Sequence, residues 1–237
     1  MAALCAGNEQ GRLPALMHRN RENNMLRLLQ VIGALALIAA CASEPAPAPP
    51  AVPPAAPPKA PFNELGHADS PVTIMEFSDL QCRFCARYES ETFPLIRRDY
   101  IDTGKVRYVV HDLPLAYHAF AVPAAIAARC AGEQGHYWEY REELFREQYR
   151  LAQEPYAEIA AGMGLDAKLF ADCRADPAQA AAVRAGVNLA ASSGLGSTPS
   201  FIINRSGAGR ESVAIIVGAK PYEVFKAKID ALLPPTG

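Results

Sequence analysis

Residues Val72–Cys85 read VTIMEFSDLQCRFC. The first half, Val72–Phe77, is mostly apolar and lies between Ser70-Pro71 and Ser78-Asp79, which predicts a buried strand. Cys82-Arg83-Phe84-Cys85 follows at once. From there to about Tyr100 the pattern is helical, with Pro94 placed to kink it. A helix N-terminus offers free amides and a positive dipole end, and these favour a thiolate. Cys82 is therefore the candidate nucleophile, because the thiolate is the attacking species. Cys85, one turn later, is the candidate resolving thiol, and the two can close a disulfide. The same spacing suits a zinc knuckle, but that needs a second close pair, and Cys130 and Cys173 are 43 residues apart. A purely structural bridge between Cys82 and Cys85 closes too small a loop to add much stability. No metal site is expected.

Outward from this stretch, Lys105–Val110 predicts a second strand. Residues 116–194 are helical in pattern: Ala119–Ala131, then Tyr137–Tyr149, then shorter helices broken at Pro155, near Gly162–Gly164 and at Pro177. Tyr137 and Trp138 read as core of this block. Ser200–Asn204 and Ser212–Val217 predict two more strands, joined by the glycine-containing loop Arg205–Gly209. A last helix, Pro221–Leu233, places Val224, Phe225, Ile229 and Leu232 along one face. The chain of 237 residues is 50% hydrophobic, which excludes disorder throughout. Its 23 basic and 25 acidic residues leave no electrostatic case for binding nucleic acid.

Four features in this order carry a resemblance. They are Cys82-Arg83-Phe84-Cys85 after a strand, Asp112-Leu113-Pro114-Leu115 after the next strand, Ala128–Phe145 (ARCAGEQGHYWEYREELF), and Gly196-Ser197-Thr198-Pro199 before Phe201. Over Phe62–Leu233 the chain resembles the DsbA-like thiol:disulfide oxidoreductases. The resemblance implies an α/β thioredoxin fold with a helical domain inserted at about 116–194, so that 62–237 form one domain. It implies that Glu76 is a buried proton acceptor for Cys85, with burial raising its pKa toward neutrality. It implies a cis bond at Thr198-Pro199 that turns the backbone toward the client, with Arg83 and Phe84 also facing it. It implies a structural disulfide between Cys130 and Cys173, two buried free thiols being the alternative. It implies no cofactor beyond the redox-active cysteine pair. Arg-Phe stands where the best-known DsbA has Pro-His, so the redox potential is open. Of the histidines, His118 alone follows a loop near the active face.

The front of the chain reads as an address. Leu28–Ala40 is a 13-residue apolar run preceded by Arg19, Arg21 and Arg27, too short for a spanning helix and suited to a signal peptide over 1–40. Ile38-Ala39-Ala40-Cys41 resembles the bacterial lipobox, which implies lipidation at Cys41; a plain secretory signal is the alternative. Ala42–Pro61 carries nine of the 20 prolines. Residues 41–61 therefore predict a tether of about 3.1 Å per residue. The expected location is the bacterial cell envelope, facing the periplasm and lipid-anchored. Ala42 is not Asp, which favours the outer membrane. The expected partners are unfolded or partly folded exported proteins and a membrane redox partner, for a monomeric oxidase. A reductase or isomerase on the same fold is the near rival, and a non-catalytic anchored peptide-binding lipoprotein the distant one.

Overall fold

The computed structural model describes residues 61–207 and 213–235. The signal peptide, Cys41 and the tether before Pro61 lie outside the described residues, as do Ala208 and Gly209 of the expected loop. Five strands form one sheet in the order β1-β3-β2-β4-β5: β1 Glu64–Leu65, β2 Val72–Ser78, β3 Val106–Asp112, β4 Ser200–Arg205 and β5 Val213–Val217. β2 and β3 run parallel, while the other three pairings are antiparallel. β2 is central and covered on both faces, which is why its sequence is a nearly continuous apolar run. β1 was not legible in the sequence, because two residues carry no periodicity.

Helix α1 spans Arg83–Glu91 and α2 spans Phe93–Ile96, with a π-helical turn at Arg97–Ile101. The single kinked helix expected here is thus two. Pro94 has no amide to donate back into α1, so the chain restarts at Thr92. Between β3 and β4 come α3 (Ala121–Glu133), α4 (Tyr137–Arg146), a 3₁₀ turn (Gln148–Gln153), α5 (Tyr156–Gly162), α6 (Ala167–Ala175) and α7 (Pro177–Ser192). The chain closes with α8, Tyr222–Leu232.

The period of two along β2 sorts the core into two layers. Ile74 and Glu76 face α1, α4 and α8, where Tyr88, Phe201 and Phe225 pack with ring centroids 4.5 to 5.3 Å apart. Met75 and Phe77 face Leu113, Ala190 and Leu195. Gly186 lets α7 press on the end of β3: a Cβ there would stand 2.4 Å from the Asp112 carbonyl oxygen. Two readings of the sequence change here. On α8 only Phe225 and Ile229 are buried, and Val224 is exposed because the helix covers the sheet with a narrow stripe. Trp138 is not core of the helical block; it stacks on Phe93 of α2 at 5.8 Å and seals α4 against the sheet layer. Among the described residues no helix is long and apolar enough to cross a membrane.

Candidate active site

Cys82 is the N-cap of α1 and Cys85 lies in the first turn. Both thiols are free and buried. No side chain caps the helix, so its first amides are left to the sulfur. The Cys82 thiol is held down to about 5 from 9.0. The hydrogen bond from Cys85 contributes most, burial opposes, and Thr198 and the amides of Cys85 and Phe84 add to the lowering. Cys85 is displaced the other way, by its burial and by its hydrogen bond to Cys82 and the charge there. The two thiols are thus unequal: hydrogen bonds dominate at Cys82 and burial dominates at Cys85.

The Thr198-Pro199 bond is cis. It brings the Thr198 carbonyl to 3.5 Å from Cys82 Sγ, which donates to it as a thiol. The Thr198 hydroxyl is buried with no other partner, so it is free to serve the thiolate as a donor. Pro199 in turn accepts from the Gly218 amide at 2.7 Å, which fixes the loop to the end of β5. Arg83 and Phe84 are exposed beside the thiols, and the Arg83 guanidinium lies 4.8 Å from the Phe84 ring centre.

Glu76 is fully buried, but it is not a lone acid. Arg141 of α4 reaches its two oxygens at 2.7 and 2.9 Å, and the Tyr108 hydroxyl donates to it at 2.8 Å. The same guanidinium binds Glu89 of α1, one turn beyond Cys85. Burial pushes Glu89 up to about 7, with Arg141 opposing and Glu76 adding to the rise. One buried cation therefore faces two carboxylates. Ser78 joins this cluster to the thiols: its hydroxyl accepts from Arg141 at 3.4 Å and also acts on Cys85, partly offsetting the rise that burial causes there.

Arg141 and Glu89 were missed in the sequence, although a signal existed. Tyr137, Tyr140, Arg141, Leu144 and Phe145 form the buried face of α4, and a charge on such a stripe needs a partner. Asp79 was also missed. Its buried carboxylate accepts from the amides of Gln81 and Leu115 at 2.7 and 2.8 Å and meets His118 Nδ1 at 2.7 Å. Gln148, at the start of the 3₁₀ turn, donates to the carbonyls of Leu80 and Cys82 at 2.7 and 3.1 Å. The loop before Cys82 is thus clamped from two sides by the helical block.

Cys130 of α3 and Cys173 of α6 are joined in a disulfide with Cα atoms 5.7 Å apart. It lies in the helical block and makes no part of the Cys82 environment described above. No group of three or more His, Cys, Asp or Glu side chains among the described residues has metal-binding geometry.

A family model described as Thioredoxin matches residues 62–230. The chain belongs to the thioredoxin family. The crystal structure of Wolbachia pipientis alpha-DsbA1 superposes with a TM-score of 0.63 at 28% identity, covering 72% of this chain and 89% of that one. This thioredoxin-family protein is thus DsbA-like, with a five-stranded mixed sheet. The Na(+)/H(+) antiporter NhaA 3 of Salinispora tropica is 34% identical over 140 residues, 59% of this chain and 21% of the antiporter. Disulfide bond formation protein D of Bacillus subtilis is 33% identical over 92 residues, 38% of this chain and 41% of that protein. The chain spans less than half the length of these two relatives.

Proposed function

We propose that this DsbA-like protein is a thiol:disulfide oxidoreductase of the cell envelope that oxidises exported proteins through a Cys82–Cys85 disulfide. The observation that carries the reading is the opposite displacement of the two thiols, one down to about 5 and one up, beside a cis-proline loop. In the oxidised enzyme a client thiolate attacks the Cys82 sulfur. The Cys82–Cys85 bond breaks, and Cys85 leaves as a thiolate and takes a proton. A second client thiolate then attacks the client sulfur of the mixed disulfide, and Cys82 leaves. The client loses two electrons and the enzyme gains them. A thiolate as stable as that of Cys82 is a good leaving group, which favours release and an oxidising poise.

The remaining residues take roles around this exchange. Thr198 and Pro199 dock the client backbone, and Arg83 and Phe84 line the approach. Glu76 serves as acceptor for the Cys85 proton when the disulfide is re-formed, a role supported by the Arg141 guanidinium that Glu76 and Ser78 share beside Cys85. The Cys130–Cys173 disulfide is structural. Signal peptide 1–40, lipidation at Cys41 and a tether over 41–61 leave the catalytic domain, 62–237, as a monomer facing the periplasm, held at the outer membrane. The redox pair needs no further cofactor, and a membrane redox partner takes up the two electrons and restores the disulfide.

Equilibration with glutathione tests the direction. A potential near the −120 mV typical of DsbA, at about pH 7, supports the oxidase, and one near thioredoxin's −270 mV makes the protein a reductase. Replacement of both Cys82 and Cys85 by Ser without loss of function in cells sinks the catalytic reading altogether.

A further inference from the structure

The edge of the site formed by α1 carries a stack of two arginines on one aromatic ring. The guanidinium carbons of Arg83 and Arg87 lie 4.8 and 5.3 Å from the Phe84 ring centre, and all three side chains are exposed. Seven other arginines stand within 4.0 Å of a carboxylate. Arg83 and Arg87 have no such partner among the described residues; Glu91, one turn past Arg87, shares a cleft with it without an ion pair. Stacking uses the face of a guanidinium and leaves its in-plane donors free, the geometry that grips a carboxylate. Arg87 spends one donor on the Ala219 carbonyl at 3.0 Å, next to the Gly218 amide that holds Pro199. The second arginine is thereby tied to the loop where a client backbone docks.

We propose that Arg83 and Arg87 form an anion-reading rim, so that the protein exchanges fastest with client segments carrying Asp or Glu beside the reactive cysteine. This rests on the oxidoreductase reading and names its substrate class. The whole chain has a formal charge of −2, so no long-range field draws acids in, and the preference is local. Exposed charges are screened beyond about 8 Å at physiological salt. An extended client advances about 3.3 Å per residue, so only the two nearest positions on either side are read.

Paired dithiol peptides that differ only in Asp or Lys next to one cysteine test this against the oxidised full-length protein. We expect kcat/KM to favour the Asp peptide about fivefold or more. The ratio should fall toward one in 0.5 M NaCl, with Arg83→Gln plus Arg87→Gln, and with the charge moved four positions away. A ratio near one, a preference for Lys, or a ratio that the double substitution leaves intact overturns the rim. The ratio is read within each variant, so a change in Cys82 reactivity cancels. Binding of the same peptides with Ser for Cys, followed by fluorescence anisotropy, requires no thiol chemistry. Asp-selective binding without exchange of either peptide supports the rim and sinks the oxidoreductase reading alone.

Discussion

The protein has two cysteine pairs in opposite settings. Cys130 and Cys173 join α3 to α6 within a layer of alanines, and Cys130 is fully buried. Cys82 and Cys85 are also buried, yet they open a helix and sit over a cluster of charges. Burial alone raises a thiol pKa and makes it inert. The difference at Cys82 is the supply of donors: the Cys85 thiol first, then Thr198 and the helix amides, outweigh the burial. Reactivity in this molecule follows from hydrogen-bond geometry rather than from exposure.

The largest effect should come from separating the pairs by mutation. Cys82→Ser should lower peptide oxidation by at least about a thousandfold, because no other thiol among the described residues is held low. Cys85→Ser should leave Cys82 trapped in mixed disulfides visible on non-reducing gels. Cys130→Ala with Cys173→Ala should keep exchange within about twofold but lower stability by about 3–4 kcal/mol, the chain-entropy value for such a loop, read by urea unfolding. Equal loss of activity from Cys82→Ser and from the Cys130→Ala, Cys173→Ala double substitution would end the distinction.

The charges beneath the reactive pair set the next effect. Arg141→Leu strands Glu76 and Glu89 in the core and should cost about 3–5 kcal/mol, read in the same urea experiment. The sign with pH follows from Glu89, whose folded value is raised. The folded state holds that proton more tightly, so the contribution is complete below the unfolded value of 4.5 and is lost as pH rises through about 7. Glu89→Gln should remove that decline between pH 4.5 and 7.

Cys82 has the opposite sign. Its folded value is depressed, so in the reduced protein the thiolate contributes stability above the unfolded value of 9.0, lost as pH falls toward 5. Iodoacetamide should alkylate Cys82 with a midpoint near pH 5, before Cys85. Thr198→Val should move that midpoint up by removing the hydroxyl donor. A midpoint near that of an ordinary thiol would put the two pairs back on equal terms. The smallest effect should be that of Gln148→Leu, which frees the Leu80 and Cys82 carbonyls. Loss of this clamp should slow peptide exchange by about threefold and cost about 1 kcal/mol.

Much of the sheet was legible because β2 is covered on both faces and carries a nearly continuous apolar run, and Tyr108–Val110 of β3 form a shorter one. β1 was not, since its two residues are specified by pairing with β3 rather than by a pattern of their own. Pro94 marked the break in the helix but not the π-helical turn that follows. Trp138 looked like core of its own helical block, because a helical stripe shows that a side chain is buried without showing against what.

The sequence by itself determined that two thiols stand one turn apart at a helix start behind a buried strand. Local rules govern that: a strand period of two, a short turn, and Cys82 before the first helical residue. It also placed an acid at Glu76 on the buried strand. Only the tertiary structure decided what that acid meets. Arg141 lies 65 positions away and Glu89 arrives on α1, so their convergence beside Ser78 depends on the packing of α4 against α1. The same holds for Thr198, 116 positions from Cys82, whose carbonyl reaches the thiol because β4 pairs antiparallel to β2. Interactions between distant segments carry no sequence spacing, and only burial forces their polar groups to find one another.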